Sequence, residues 1–401
     1  MASFLGEYSS QMTVKEFFNV FFKRLGLMMK KNIIVVFSVI AAVITCFFVP
    51  PDAGYLDYIQ YKTLFCLLAL MMLVEAFKNT KVFKILSAAI LKRVSNMRSL
   101  VTLLVFLPTI LAMVMTNDVT IVTFVPFTIV LLQMAHQEKY LPKVLILMTL
   151  GCNLSPVLSP IGTAQNLYFF DYYNLSPFWF AANLWPLALA GYGGILVCCL
   201  LTKKEEISPI DTGRRSLPKG KLAFYFTLFV LVVLAIFDFV DTIHLYYIVV
   251  PIVIVSLLFS DRQVFKKTKY SIIVMFVAFF VLAGNLSRIE AVDTFLTSIL
   301  TGNEFFLTVG LAQLASNTTS ALLLSKFTTN HYAFITGACV SKFGSPVSTM
   351  SNFMVTKFYS KYDTEKNFSK KFYFAQFAFL ALLIATGVVM IYFLQPYQIY
   401  I

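Results

Sequence analysis

Ser159-Pro160-Ile161-Gly162-Thr163-Ala164-Gln165-Asn166 and Ser345-Pro346-Val347-Ser348-Thr349-Met350-Ser351-Asn352 decide how this sequence is read. Both follow the pattern Ser-Pro-β-branched-small-Thr-x-x-Asn inside otherwise apolar regions. Each is preceded by an apolar run broken by a polar tripeptide. Thr116-Asn117-Asp118 interrupts 100–134, and Ser316-Asn317-Thr318 interrupts 305–324. The chain therefore contains the same arrangement twice.

Composition supplies the solvent for that arrangement. Of 401 residues, 59% are hydrophobic and 13% charged, roughly half the charge of a water-covered chain. This predicts an integral membrane protein. Lys and Arg number 32 against 19 Asp and Glu, a net charge of +13, which in a soluble chain would suggest nucleic acid. Here the placement of the basic residues accounts for it, and no nucleic-acid partner is expected. They gather in the segments that a span count assigns to the cytoplasm, including Lys203, Lys204, Arg214, Arg215, Lys219 and Lys221, while the outside loops hold only Arg288 and Lys326.

Runs of about 20 apolar residues can cross a bilayer. The N-terminal segment mixes Lys15, Glu16, Lys23 and Arg24 into its sequence, unlike a cleavable signal peptide. It is expected to remain in the cytoplasm. The predicted organisation is a cytoplasmic amphipathic segment (1–31), a first membrane repeat (32–202), a cytoplasmic linker (203–221), a linking transmembrane helix (222–240) and a second repeat (241–401). A single linking crossing turns the second copy upside down. The fold expected is an all-α integral membrane protein with an inverted-topology repeat: about nine full transmembrane helices, two re-entrant hairpins and two broken helices. For 100–134, length alone leaves open a hairpin or two short spans of about 17 residues. The basic stretch from Lys78 to Arg98 reads as an amphipathic surface helix, and 289–300 as its counterpart in the second half.

Unwound backbone survives in hydrocarbon only where protein or a wet cavity satisfies it. Matching interruptions in two repeats are the sequence pointer to a transporter's binding site. Half-helix N-termini suit an anion, while carbonyls and Ser, Thr and Asn oxygens suit Na⁺. The competing reading makes these residues interhelical stitches worth about 0.6 kcal/mol each. That suits a lone Asn better than four clusters at repeat-related places. Asp118 and Lys342 are the charges that no loop can take, and intramembrane charges mark functional sites. Lys342 reads as a counter-charge to an anion or to Asp118, or as a snorkelling side chain. Asp118 reads as a Na⁺ ligand, a proton carrier or a cap on its own half-helix.

These motifs resemble the ion transporter superfamily, which includes the divalent anion/sodium symporters, the citrate-transporter-like permeases and the arsenite and sodium/proton antiporter branches. The resemblance covers 32–394. It implies that Asn117, Asn317 and Thr318 contact substrate carboxylates. It further implies that Thr116, Asn117, Gly162 and Thr163 frame one cation site, and Ser316, Asn317, Ser348 and Thr349 another. The expected substrate-facing set adds Asp118, Thr163, Asn166, Thr349, Asn352 and Lys342. The resemblance also implies an elevator-like movement and a homodimer. Asp118 departs from the symporters, which have Thr there.

The resulting expectation is a secondary active transporter of a small anion, a di- or tricarboxylate, coupled to Na⁺, in the plasma (inner) membrane with a cytoplasmic N-terminus. The alternative is a cation/proton or arsenite-type antiporter centred on Asp118, with H⁺ in place of Na⁺. No organic cofactor is expected. Nor is an enzyme: the three His residues form no HExxH-like cluster, and Lys342 with Ser341 or Ser345 is the only crude nucleophile–base pair. The six cysteines read as small packing residues.

Overall fold

A computed structural model describes residues 33–80, 82, 94–206, 218–237, 244–360 and 367–394. The N-terminal segment 1–31, most of the basic stretch after Lys78, the centre of the linker and Lys361 and Lys366 lie outside the described residues. Among those described, the secondary structure is helical, apart from one isolated β-bridge between Asn96 and Glu206. The expected all-α class is what forms. Two units can be distinguished, one comprising 1–59 with 269–289 and the other 60–268 with 290–401.

In the first unit, α1 (Ile33–Cys46) packs on α11 (Ser271–Ser287). The Asn285 amide donates to Thr45 Oγ1 at 3.1 Å. Gly284 lets the Tyr58 ring lie against the helix backbone, where a Cβ would collide with it. Arg288, one of the two basic residues expected outside, forks onto Asp52 at 3.0 and 2.6 Å and reaches the Tyr58 hydroxyl at 3.1 Å. That hydrogen-bonded guanidinium holds the Asp52 carboxyl below the usual carboxylate range.

The second unit contains the remaining helices: α2 (Tyr61–Asn79), α3 (Met97–Ala112), α4 (Asn117–Met134), α5 (Leu141–Leu154), α6 (Ala164–Tyr172), α7 (Trp179–Leu200), α8 (Lys219–Phe237), α9 (Tyr246–Ser260), α10 (Gln263–Lys267), α12 (Glu290–Leu300), α13 (Glu304–Ala315), α14 (Asn317–Leu324), α15 (His331–Val340), α16 (Met350–Tyr359) and α17 (Phe368–Val389). Five described segments are long and apolar enough to cross a membrane: Asn117–Met134, Glu138–Leu158, Trp179–Leu200, Lys219–Phe237 and Phe368–Phe393. Shorter apolar helices, α3, α9, α13 and α15 among them, accompany these. Trp185, Leu189, Phe226 and Phe374 are exposed on the long helices, a surface that lipid covers at no hydrophobic cost.

Local sequence sets the helix starts. Asn96 Oδ1 accepts from the Ser99 N–H at 3.0 Å to begin α3, and Asn330 Oδ1 accepts from Ala333 to begin α15. Proline inside α3, α4, α7 and α9 is compatible with membrane helices, whose neighbours can re-satisfy the freed carbonyls. α12 buries only Leu300 and carries Glu290 and Asp293 in its first turn, as a surface helix should.

α2 packs with α8, α9 and α10, pinned where Asn79 links Asp261 and Lys267 at 2.7 and 2.6 Å. This bundle meets the interrupted helices through α6. There Asp171 accepts from the Thr63 N–H and hydroxyl at 3.1 and 2.6 Å, with Lys62 at 3.9 Å. The interrupted helices pack in two matching sets, α3 with α4 and α5, and α13 with α14 and α15. Glycine permits the close approach in both. A Cβ at Gly151 would strike the Thr109 hydroxyl, and one at Gly337 would lie 2.7 Å from the Phe305 carbonyl.

Gly337→Ala is therefore expected to destabilise the protein by about 1–3 kcal/mol. Gly310→Ala, which meets open space on α13, is expected to be neutral or slightly stabilising. Thermal unfolding in detergent checks both; equal midpoints for the two variants would contradict this packing.

Candidate functional site

Four helix interruptions build the site. The first tip, 113–116, joins α3 to α4, and the second is Ser316 between α13 and α14. The first break runs from the end of α5 through a 3₁₀ turn, Ser155–Leu158, to α6; the second is 341–349, between α15 and α16.

The two breaks are closed by the same hydrogen bonds. Ser159 Oγ donates to the Met113 carbonyl at 2.7 Å, and Ser345 Oγ to the Gln313 carbonyl at 2.9 Å. The Asn166 amide donates to the carbonyls of Pro156 and Ser159; the Asn352 amide reaches those of Lys342 and Ser345 at 3.5 and 3.4 Å. Thr163 and Thr349 hydroxyls accept from the N–H groups of Asn166 and Asn352, capping α6 and α16. The final Asn of each motif thus replaces lost helix bonds, which explains its complete burial.

Tips and breaks from different halves are also joined. The Asn117 amide donates to Asn153 Oδ1 at 3.1 Å and to Ser351 Oγ, in the second break's helix, at 3.4 Å. The Asn317 amide donates to Gln165 Oε1, the counterpart of Ser351, at 3.0 Å. Asn153 continues the network, donating to Asn352 Oδ1 at 3.0 Å. Backbone contributes as well, with the Asn317 N–H on the Ser348 carbonyl at 2.9 Å. Ser316 carries a φ of +83°, a strained conformation for a non-glycine residue, while its hydroxyl caps α14.

All the expected site residues belong to these four interruptions or to the first turn of the helix that follows each. Asn117, Asn317, Thr163, Asn166, Ser316, Ser348, Thr349 and Asn352 are buried, and Thr116, Asp118 and Thr318 are half-buried. Gly162 sits where a Cβ would meet the Ala112 carbonyl at 3.1 Å, so bare backbone is what fits beneath the first tip. Asp118 does not cap its own helix. Asn117 Oδ1 takes the Asp118 N–H, and the carboxylate instead accepts from Ser351 Oγ at 2.6 Å, in the first turn of α16. Lys342 is fully buried, and its Nζ has no hydrogen-bond partner among the described residues.

The crude Ser–Lys pair is not assembled, since Ser341 and Ser345 donate to the Ala338 and Gln313 carbonyls. Glu75 pairs with Lys78 at 3.3 Å near the end of α2. Cys198 is exposed and Cys66, Cys152, Cys199 and Cys339 are buried. Among the described residues no three His, Cys, Asp or Glu side chains gather as a metal-binding group, so the cation ligands available in the cluster are neutral oxygens and one carboxylate.

Asn153, Gln165, Gln313 and Ser351 are the members of this network that motif reading missed. Gln165 and Ser351 occupy its variable positions, and their shared place in the two copies was the available signal. Two buried polar atoms in the first break have no partner among the described residues, Gln165 Nε2 and Asn166 Oδ1. They are a donor and an acceptor left unsatisfied, unlike most buried polar groups.

A family model described as citrate transporter matches residues 24–342. The chain belongs to the citrate transporter family. This transporter is 27% identical over 302 residues to the uncharacterized transporter MJ0456 of Methanocaldococcus jannaschii, covering 75% of this chain and 81% of the relative. It is 25% identical over 318 residues to the inner membrane protein YbiR of Escherichia coli K12, covering 78% and 83%. The chain is thus a multi-pass membrane transporter. The family match ends at Lys342, before the second break's motif.

If the Asn317–Gln165 pair holds tip to break, alanine substitutions at the two positions will be non-additive. A coupling of about 0.5–1 kcal/mol is expected from unfolding of the single and double variants in detergent. Additive effects would contradict the pairing.

Proposed function

We propose that this transporter moves a small anion, a di- or tricarboxylate, coupled to Na⁺, by an elevator-type alternating-access mechanism. The observation that carries the reading is the crossed pairing of Asn117 with Ser351 and Asn317 with Gln165. It brings the starts of α4, α6, α14 and α16 to one buried polar cluster. Helix starts supply N–H groups and positive dipole ends for carboxylates, and the unwound segments supply oxygens for Na⁺.

In this reading Asn117, Asn317 and Thr318 contact the anion, with Asp118, Thr163, Asn166, Thr349, Asn352 and Lys342 around it. Thr116, Asn117, Gly162 and Thr163 form the cation position of the first half; Ser316, Asn317, Ser348 and Thr349 form its counterpart. The tips act as re-entrant hairpins in an inverted repeat. The interrupted helices move against the α2, α8, α9 and α10 bundle, which serves as scaffold and dimer interface. The protein sits in the plasma membrane with a cytoplasmic N-terminus and catalyses no covalent reaction.

Reconstituted in proteoliposomes, the protein is expected to take up citrate or another di- or tricarboxylate several-fold faster with an inward Na⁺ gradient than with K⁺. Carboxylate uptake indifferent to Na⁺ would contradict the coupling. The place of the Asp118 carboxylate inside the cluster favours a second reading, a cation/proton or arsenite-type antiporter. That version requires Asp118→Asn to abolish proton-coupled flux, and unchanged flux would exclude it.

A further inference from the structure

We propose that an apolar groove along α7 holds one acyl chain of an anionic phospholipid, whose phosphate sits on the basic residues gathered where α3 begins and α7 ends. The groove lies apart from the polar cluster, and its reading does not depend on which cargo or coupling ion is carried.

The groove encloses about 570 Å³ between α3, the 3₁₀ turn of the first break and α7. Thr102 and Phe106 line it from α3, Leu158 from the turn, and Trp185, Gly193 and Leu196 from α7. The Thr102 hydroxyl is spent on the Arg98 carbonyl at 2.9 Å, so the lining is apolar. From Trp185 to Leu196 a helix rises about 16 Å, and one leaflet of the hydrocarbon core is about 15 Å deep. The groove therefore has the length of a lipid chain in one leaflet.

Gly193 keeps that space open. A Cβ there would meet nothing within 4 Å, whereas one at Gly191 would strike the Leu154 side chain. Close packing of α7 on α5 thus explains Gly191. No neighbouring element among the described residues explains Gly193, although glycine inside a helix is unfavourable relative to alanine. A chain lying along α7 supplies the missing neighbour. Leu158 directly precedes Ser159, whose hydroxyl ties the first break to its tip, so the lipid packs behind that break.

Charge selects the lipid. Arg98 Nε donates to the Thr202 carbonyl and Lys143 Nζ to the Thr202 hydroxyl, each at 2.9 Å. Thr102 is one turn from Arg98, and Leu196 is one turn from the end of α7, so both helices lead from the groove to this point. Lys203 and Lys204 follow, both exposed. Of the carboxylates nearby in sequence, Glu205 is paired with Lys139 at 2.6 Å. That leaves Arg98, Lys143, Lys203 and Lys204 against Glu138 and Glu206. A basic excess at the membrane surface attracts anionic headgroups, which a zwitterionic lipid of the same chains does not match.

Titrating the purified full-length protein in detergent with dioleoyl phosphatidylglycerol or dioleoyl phosphatidylcholine tests this. Native mass spectrometry counts bound lipid, and thermal unfolding follows stability. Phosphatidylglycerol is expected to bind at about one tight site per chain, several-fold more strongly than phosphatidylcholine, and to raise the unfolding midpoint saturably. Gly193→Phe, which fills the groove, should abolish this binding, while Gly193→Ala should retain it. Lys203→Gln combined with Lys204→Gln should weaken phosphatidylglycerol about fivefold or more and leave phosphatidylcholine unchanged. Equal affinity for the two lipids in the unsubstituted chain would overturn the inference without recourse to any variant. So would phosphatidylglycerol binding that survives Gly193→Phe, including the case in which that variant loses self-association because a second copy of the chain covers the groove.

Discussion

Backbone that leaves its helix inside a membrane must find new hydrogen bonds in the protein, and the site depends on how two asparagines meet that demand. Asn166 and Asn352 place their amides on the carbonyls freed at the two breaks. Two serines tie the same breaks to the neighbouring tips. Without these bonds the breaks would expose unpaired carbonyls, each costing several kcal/mol in hydrocarbon. With them, four helix starts can be held in one buried cluster, where their dipoles reinforce one another.

A symmetric scaffold then carries an asymmetric set of charges. Asp118 belongs to the first tip by sequence but is bonded to Ser351 at the second break, where Lys342 is also buried. Both intramembrane ionisable side chains thus belong to one side of the cluster. The other side keeps the unpartnered Gln165 Nε2 and Asn166 Oδ1. Duplication provides two equivalent cradles, and a few substitutions, Gln for Met, Lys for Pro and Asp for Thr, make them chemically different.

Much of this was legible in the sequence because the constraint is severe. Low charge and long apolar runs predict helices in a membrane, and the repeated Ser-Pro…Thr-x-x-Asn pattern marks both breaks. Hairpin tips were marked by polar tripeptides in apolar surroundings. Partners across the repeat were not legible. Whether Asn117 faces Asn153 or Ser351 depends on how distant helices pack, and periodicity carries no record of that. For the same reason Asp118 read equally well as a cap of its own helix, although its carboxylate turns to the other half. Residues in the motif's variable positions, Gln165 and Ser351, were passed over because their chemistry differs while their place is the same.

If the tips and breaks of both halves form one anion site, a bound carboxylate must lie among them. A cryo-EM map of the protein in lipid nanodiscs, collected with a saturating tricarboxylate and Na⁺, tests it most directly. Ligand density is expected between the side chains of Asn117 and Asn317, beside the starts of α4 and α14. Ligand density elsewhere in the molecule, with the two tips contacting only protein, would contradict it.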